Sequence, residues 1–246
     1  MILFEFLERV KPLGIFSIGV LELLYPGLDK RRLYEWQLKN YIIKLRNGWY
    51  CLPDFIKENY SSWIIANAVH EPSYVSMESA LSYHGLIPEG VYMTTSLTTN
   101  RTIRLSMAGS SYVYSSVRNE LFFGYKLIDT NYHHRMVRVA EPEKALIDLL
   151  QFHRTRYSTD LVLEKLNAFK DDIDQQTLTA YALKANLTTQ RILGFLMDCA
   201  RLDSSQLHLI VEEKSSVSAI SNSANNLYNH KWKLYHDPHF SKYIQS

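Results

Sequence analysis

The sequence predicts an α+β chain: a small helical region closed by a β-hairpin, then a region with a mostly antiparallel sheet and C-terminal helices. Three observations carry this. Short, capped helical segments crowd the first forty residues; Asn47-Gly48 divides two runs that mix apolar and basic residues; and segments rich in Tyr, Val, Thr and Phe alternate between 91 and 140 before helical periodicity takes over. With 246 residues, 46% of them apolar and 21% charged, the chain has room for two domains and a sizeable core. That composition excludes collagen-like and wholly disordered readings.

The first element is a helix over about Ile2–Val10, closed by Pro12 and Gly14. Ser17 caps a second over about Ile18–Leu24, which ends before the Pro26-Gly27 turn. Asp29 caps a third over about Lys30–Asn40, its carboxylate suited to the positive end of the helix dipole. On this helix Leu33 and Trp36 are three apart and can pack inward, although Tyr34 competes with Trp36 for the buried place. Arg31, Arg32, Glu35 and Lys39 fall within about 100° of arc on the opposite side.

Ile42–Arg46, Asn47-Gly48 and Trp49–Leu52 form a hairpin, because a two-residue Asn-Gly turn supplies positive φ at both central positions. The expected register pairs 46 with 49, 45 with 50, 44 with 51 and 43 with 52. It places Ile43, Leu45, Tyr50 and Leu52 on an inner face and Lys44, Arg46, Trp49 and Cys51 on an outer one. Helix, turn, helix and a basic hairpin together predict a winged helix-turn-helix over residues 1–60. In it Arg31, Arg32 and Lys39 meet a DNA groove while Lys44 and Arg46 meet flanking phosphates. The alternative is a solvated helix face and hairpin in some other small domain.

Charge distribution bears on the same point. Lys plus Arg (27) against Asp plus Glu (25) leaves a formal +2, so net charge names no partner. Yet the windows 28–46 and 101–138 each hold six basic and two acidic residues, a local balance of +4. Such windows fit a polyanion footprint confined to certain faces, and also ordinary solvated charge. The second window, with Arg101, Arg104, Arg118, Lys126, Arg135 and Arg138, supplies further candidate DNA contacts.

Beyond Pro53 a helix is expected around Ile64–Ala68, and a short one between an N-capping Ser76 and Gly85. Strands follow at 91–97, 101–105, 111–117, 121–128 and 135–140. Glu141-Pro142-Glu143 opens a helix, and others follow at about 159–169, 174–185 and 188–201, the last capped by Thr188 or Thr189. In 215–226, eight of twelve residues are Ser or Asn, which predicts a loop or mobile linker. Residues 61–246 are thus expected to form one α+β domain.

Three blocks carry a resemblance. They are Arg46-Asn47-Gly48-Trp49-Tyr50-Cys51-Leu52-Pro53; Tyr74-Val75-Ser76 leading to Ser79-Ala80-Leu81-Ser82-Tyr83-His84-Gly85-Leu86; and Val139-Ala140-Glu141-Pro142-Glu143-Lys144-Ala145-Leu146-Ile147-Asp148. In this order, across about residues 15–201, the chain resembles the AbiEi antitoxin family of bacterial transcriptional regulators. Asn40 stands where many members of that family have glycine. The resemblance implies a type IV antitoxin encoded beside a nucleotidyltransferase-fold toxin and opposing it without a stable complex, as in abortive infection against phage. It further implies that the N-terminal domain binds inverted repeats in double-stranded promoter DNA and represses its own operon, and that the remainder carries the antitoxic activity. A stand-alone transcriptional regulator without a toxin is the alternative.

Other constellations favour structure over chemistry. Two cysteines, Cys51 and Cys199, cannot build a disulfide framework or a four-thiolate zinc site, and they suit a reducing cytosol. His236 and His239 have HxxH spacing, but Pro238 forbids a continuous helix through them; His133-His134 reads as a turn. Asp171, Asp172 and Asp174 read as acids at a helix start. A less favoured alternative is a nuclease-like enzyme using Glu141, Glu143 or Asp148, but no phosphate-binding loop or nucleophile motif accompanies them. No catalytic residue, metal or cofactor is expected. The N-terminal apolar run is broken by Glu5, Glu8, Arg9 and Lys11, so no signal peptide, no membrane partner and a cytoplasmic location are expected.

Overall fold

Side-chain caps start the second and third helices where the sequence places them. In the computed structural model, which describes residues 3–88, 92–169 and 173–244, α1 (Leu3–Val10) turns its Phe6 and Val10 inward. After a 3-10 turn through Pro12, Gly14 takes a φ of +66°, and a Cβ there would lie 2.6 Å from the Phe55 ring, so only glycine fits. Strand β1 (Ile15–Ser17) ends on Ser17, whose Oγ accepts the Val20 N–H and caps α2 (Ile18–Leu24). Asp29 Oδ1 accepts the Arg31 N–H and caps α3 (Lys30–Leu38). At the end of α3, Asn40 takes a φ of +56°, a left-handed conformation that Asn tolerates better than most residues.

The hairpin forms from β2 (Ile43–Arg46) and β3 (Trp49–Cys51), with two corrections. Only Gly48 of the turn pair takes a positive φ (+81°). The register begins as expected at Arg46↔Trp49, then slips by one residue, to Lys44↔Tyr50 and Ile43↔Cys51, across a bulge at Leu45. A turn without positive φ at both positions matches the strand twist poorly, and the extra residue absorbs the mismatch. The bulge still lets Leu45 and Tyr50 face inward, but Cys51 is fully buried rather than outward. Its neighbour β1 pairs antiparallel with β3, giving the sheet order β1-β3-β2. The core joins Phe6, Val10, Phe16, Leu21, Leu33, Trp36, Ile42 and Tyr50, with the Phe6 and Trp36 rings 4.5 Å apart. Trp36, not Tyr34, is the buried aromatic of α3.

The chain is α+β and divides into two units: one from Met1–Val75 with Gly90–Val139, the other from Ser76–Glu89 with Ala140–Ser246. The boundary therefore does not fall at 60/61. Residues 1–60 share a unit with α4 (Ser61–Val69) and a six-stranded sheet of β4 (Ser73–Val75), β5 (Met93–Thr98), β6 (Ile103–Met107), β7 (Ser110–Ser116), β8 (Tyr125–Asp129) and β9 (Met136–Ala140). Its order is β6-β7-β5-β4-β9-β8. The expectation of a mostly antiparallel sheet needs correcting: β5 runs parallel to β7 and β4 parallel to β9, while β4–β5 and β6–β7 are antiparallel. The connections explain this. The short β6–β7 turn at Ala108-Gly109 forces antiparallel neighbours, whereas the long 76–135 excursion lets β9 return parallel beside β4.

The second unit is mainly helical: α5 (Met77–Tyr83), α6 (Pro142–Phe152), α7 (Arg156–Ala168), α8 (Gln175–Ala182), α9 (Leu187–Cys199) and α10 (Ser205–Glu212), with a short α11 (Ser241–Ile244). Helix α9 is its axis and is buried along most of its length. Asn186, not Thr188 or Thr189, caps it by accepting the Thr189 N–H at 2.9 Å. Ser76 precedes α5 without capping it; its hydroxyl donates to Asp148 at 2.7 Å instead. The Ser/Asn-rich segment is anchored rather than merely a linker: Ser218–Ala219 forms β10, in a small sheet with β11 (Leu227–Asn229) and β12 (Leu234–His236). The fully buried Arg191 donates to Ser218 Oγ at 2.9 Å and to the Ser216 carbonyl. Asp171 and Asp172 lie outside the described residues, while Asp174 caps α8.

Candidate nucleic-acid interface

Helix α3 buries Leu33 and Trp36, and so commits its other side to solvent: Arg31, Arg32, Tyr34, Glu35, Leu38 and Lys39 are all exposed. Lys44, on the bulged strand that follows, is exposed as well. Four of the five cations expected to contact DNA therefore reach solvent, from α3, from its C-cap Lys39 and from β2, which four residues separate from α3. Tyr34 (63% exposed) and Leu38 (66% exposed) share the α3 surface with these cations. The i, i+4 spacing of these two residues placed them on one face, but an apolar pair reads as core in a sequence.

Arg46 is the exception. Its side chain is half-buried, and one guanidinium nitrogen donates to the Val69 carbonyl at 3.4 Å. That carbonyl lies in the last turn of α4, where unsatisfied C=O groups and the helix dipole favour a cation. The bulge at Leu45 changes which way β2 presents its next residue, so the even alternation that put Arg46 beside Lys44 no longer holds. The face opposite is closed: β2 lies against β6, and burial pushes the Cys51 thiol and the Tyr112 hydroxyl each up to about 12. Cys51 is thus held as a neutral core residue.

The second basic window divides in the same way. Arg101, Arg104, Arg118 and Lys126 are exposed. Arg135 and Arg138 are half-buried and have partners within their unit: Arg135 donates to the Ile15 carbonyl at 3.5 Å, and Arg138 lies 3.5 Å from the Glu71 carboxylate. Each thus has an intramolecular partner, which leaves less of its guanidinium for a DNA phosphate than the four exposed cations offer.

The remaining candidates separate into structural roles. Glu141 accepts from the Tyr181 hydroxyl, Glu143 from the Asp174 N–H at 2.8 Å, and Asp148 from Ser76 and Lys144. His236 stacks on Phe195 with centroids 4.7 Å apart, and His239 bridges Asp160 and Asp237 at 2.6 and 2.8 Å. His133 and His134 take left-handed turn conformations. Among the described residues no three His, Cys, Asp or Glu side chains are placed to hold a metal, and no helix is long and apolar enough to cross a membrane.

No protein-family model and no curated protein matches the chain. Three solved chains match in fold. One is the crystal structure of the RV2827C protein from Mycobacterium tuberculosis, with a TM-score of 0.58 at 12% identity over 94% of this chain and 89% of that one. At that identity the likeness speaks for the fold alone.

Proposed function

We propose that the chain is a DNA-binding antitoxin of the cytoplasm that represses its own operon and counteracts a nucleotidyltransferase-fold toxin. The observation that carries the DNA-binding half is the exposure of Arg31 and Arg32 on α3 and of its C-cap Lys39, together with Lys44 on β2. The element order α1-β1-α2-α3-β2-β3, with β1 paired to β3, supports reading residues 1–60 as a winged helix whose third helix enters the major groove. Arg31 and Arg32 would read base edges, and Lys39 and Lys44 would hold phosphates. The antitoxin half rests on the three sequence blocks that resemble the AbiEi family, and it assigns no catalytic residue.

The test uses the full-length protein. The double substitution Arg31→Ala, Arg32→Ala is expected to abolish retardation of the promoter fragment while still restoring growth to cells expressing the adjacent toxin gene. A double variant that shifts promoter DNA like the wild type would overturn the groove assignment. Loss of growth rescue in a folded double variant would overturn the separation of repression from antitoxicity.

A further inference from the structure

Within the first unit, α4, the Glu71 turn, β8 and the start of β9 enclose an open cleft of about 280 Å³, at the small end of the range for small-molecule sites. Asn67 is one of its lining residues, in the middle of the apolar run Ile64–Val69, where a polar residue is costly unless it has a task. The residue is buried, and its Oδ1 accepts the Arg138 N–H at 2.8 Å. That bond assigns the two ends of the amide: the oxygen is occupied, and Nδ2 is left as a buried donor without a partner among the described residues. The Nε of Arg135, another lining residue, is likewise buried and without a partner. Two orphaned N–H donors in one cleft are unusual in a native core, where such groups are nearly always satisfied.

The rest of the lining specifies the chemistry. Arg138 adds a guanidinium that Glu71 only partly neutralises at 3.5 Å. Ile64, Ala68, Leu127 and Met136 supply apolar walls, and of these Leu127 is 60% and Met136 48% exposed. Donors without acceptors call for an anion, and apolar walls call for a body attached to it. The carboxylate of Glu71 at the edge disfavours a dianion.

We propose that this cleft binds a small monoanionic carboxylate carrying a compact apolar group, with the carboxylate on Asn67 Nδ2 and Arg135 Nε and the apolar group against Leu127 and Met136. This assignment is independent of the DNA-binding reading. The test titrates benzoate, hexanoate and inorganic phosphate into the full-length protein by calorimetry. Benzoate or hexanoate should bind saturably at one site, and at least tenfold more tightly than phosphate. Asn67→Asp keeps an oxygen for the Arg138 N–H but removes the donor, so in a folded protein it should weaken carboxylate binding at least tenfold. Should N67D fail to fold, the exposed Leu127→Asp becomes the deciding variant, with the same expected loss. No saturable carboxylate binding by the wild type, equal binding of phosphate, or undiminished binding by the folded deciding variant would each overturn the proposal.

Discussion

Two cations two residues apart on one strand, Lys44 and Arg46, have different fates, and the difference is measurable. Lys44 is exposed, so Lys44→Ala should weaken binding to all DNA sequences alike and lower the salt slope by about one, with little change in stability. Arg46 reaches the Val69 carbonyl, so Arg46→Ala should leave the salt slope nearly unchanged and lower stability by about 1 kcal/mol, the worth of a charged hydrogen bond in a half-buried place. Gel retardation across a salt series and urea unfolding distinguish the two. A second residue-scale prediction concerns the ion pair of Lys144 and Asp148, both nearly fully buried, to which Ser76 adds a hydrogen bond. Asp148→Ala leaves a buried ammonium unpaired and should cost about 3–5 kcal/mol in denaturant unfolding. Replacing both partners together, Lys144→Met with Asp148→Leu, should restore much of that loss, because the penalty lies in the uncompensated charge.

At the scale of elements, α9 shows how one small residue places a sheet. Gly194 lies beneath Trp232, and a Cβ there would come within 2.1 Å of the indole ring. Trp232 is fully buried and donates its indole N–H to Asp198, one turn further along α9, at 2.7 Å. Alanine is the better helix former by about 1 kcal/mol, yet the clash with a rigid ring outweighs that gain. Gly194→Ala should therefore destabilise by about 1–3 kcal/mol and loosen β10–β12, seen as faster proteolysis within 215–226. Equal protease resistance would show that the indole can shift at no cost. The elements most readable from sequence are those with local causes. Ser17, Asp29 and Pro142 start their helices as expected, and Asn47-Gly48 turns the chain. The elements misread or missed depend on distant partners. Strand β4 is three residues long and exists because β5 and β9 flank it. Ser76 is drawn from its helix start by Asp148, 72 positions away.

At the scale of the molecule, the chain passes between its two units three times, at 75/76, 89/90 and 139/140. Cutting at residue 60 would therefore divide the first unit, which is why the separation of repression from antitoxicity is better tested by Arg31→Ala, Arg32→Ala in the whole chain. The α3 surface was largely legible beforehand, because a 3.6-residue period assigns faces once Leu33 and Trp36 are known to be apolar. The Asn67 cleft was not, because residues 64, 127 and 136 have no local signal that brings them together; only an asparagine inside an apolar run hinted at it.

What the amino-acid order determined alone was the α+β character, the starts of α2, α3 and α6 and the solvent face of α3, since each follows from caps and periodicity acting over a single turn or two. The tertiary structure decided the mixed sheet, the inward turn of Arg46, the burial of Cys51 and the cleft around Asn67. Those features depend on which distant surfaces meet, and hence on a bulge that shifts one strand by a residue and on chain returns of sixty residues or more.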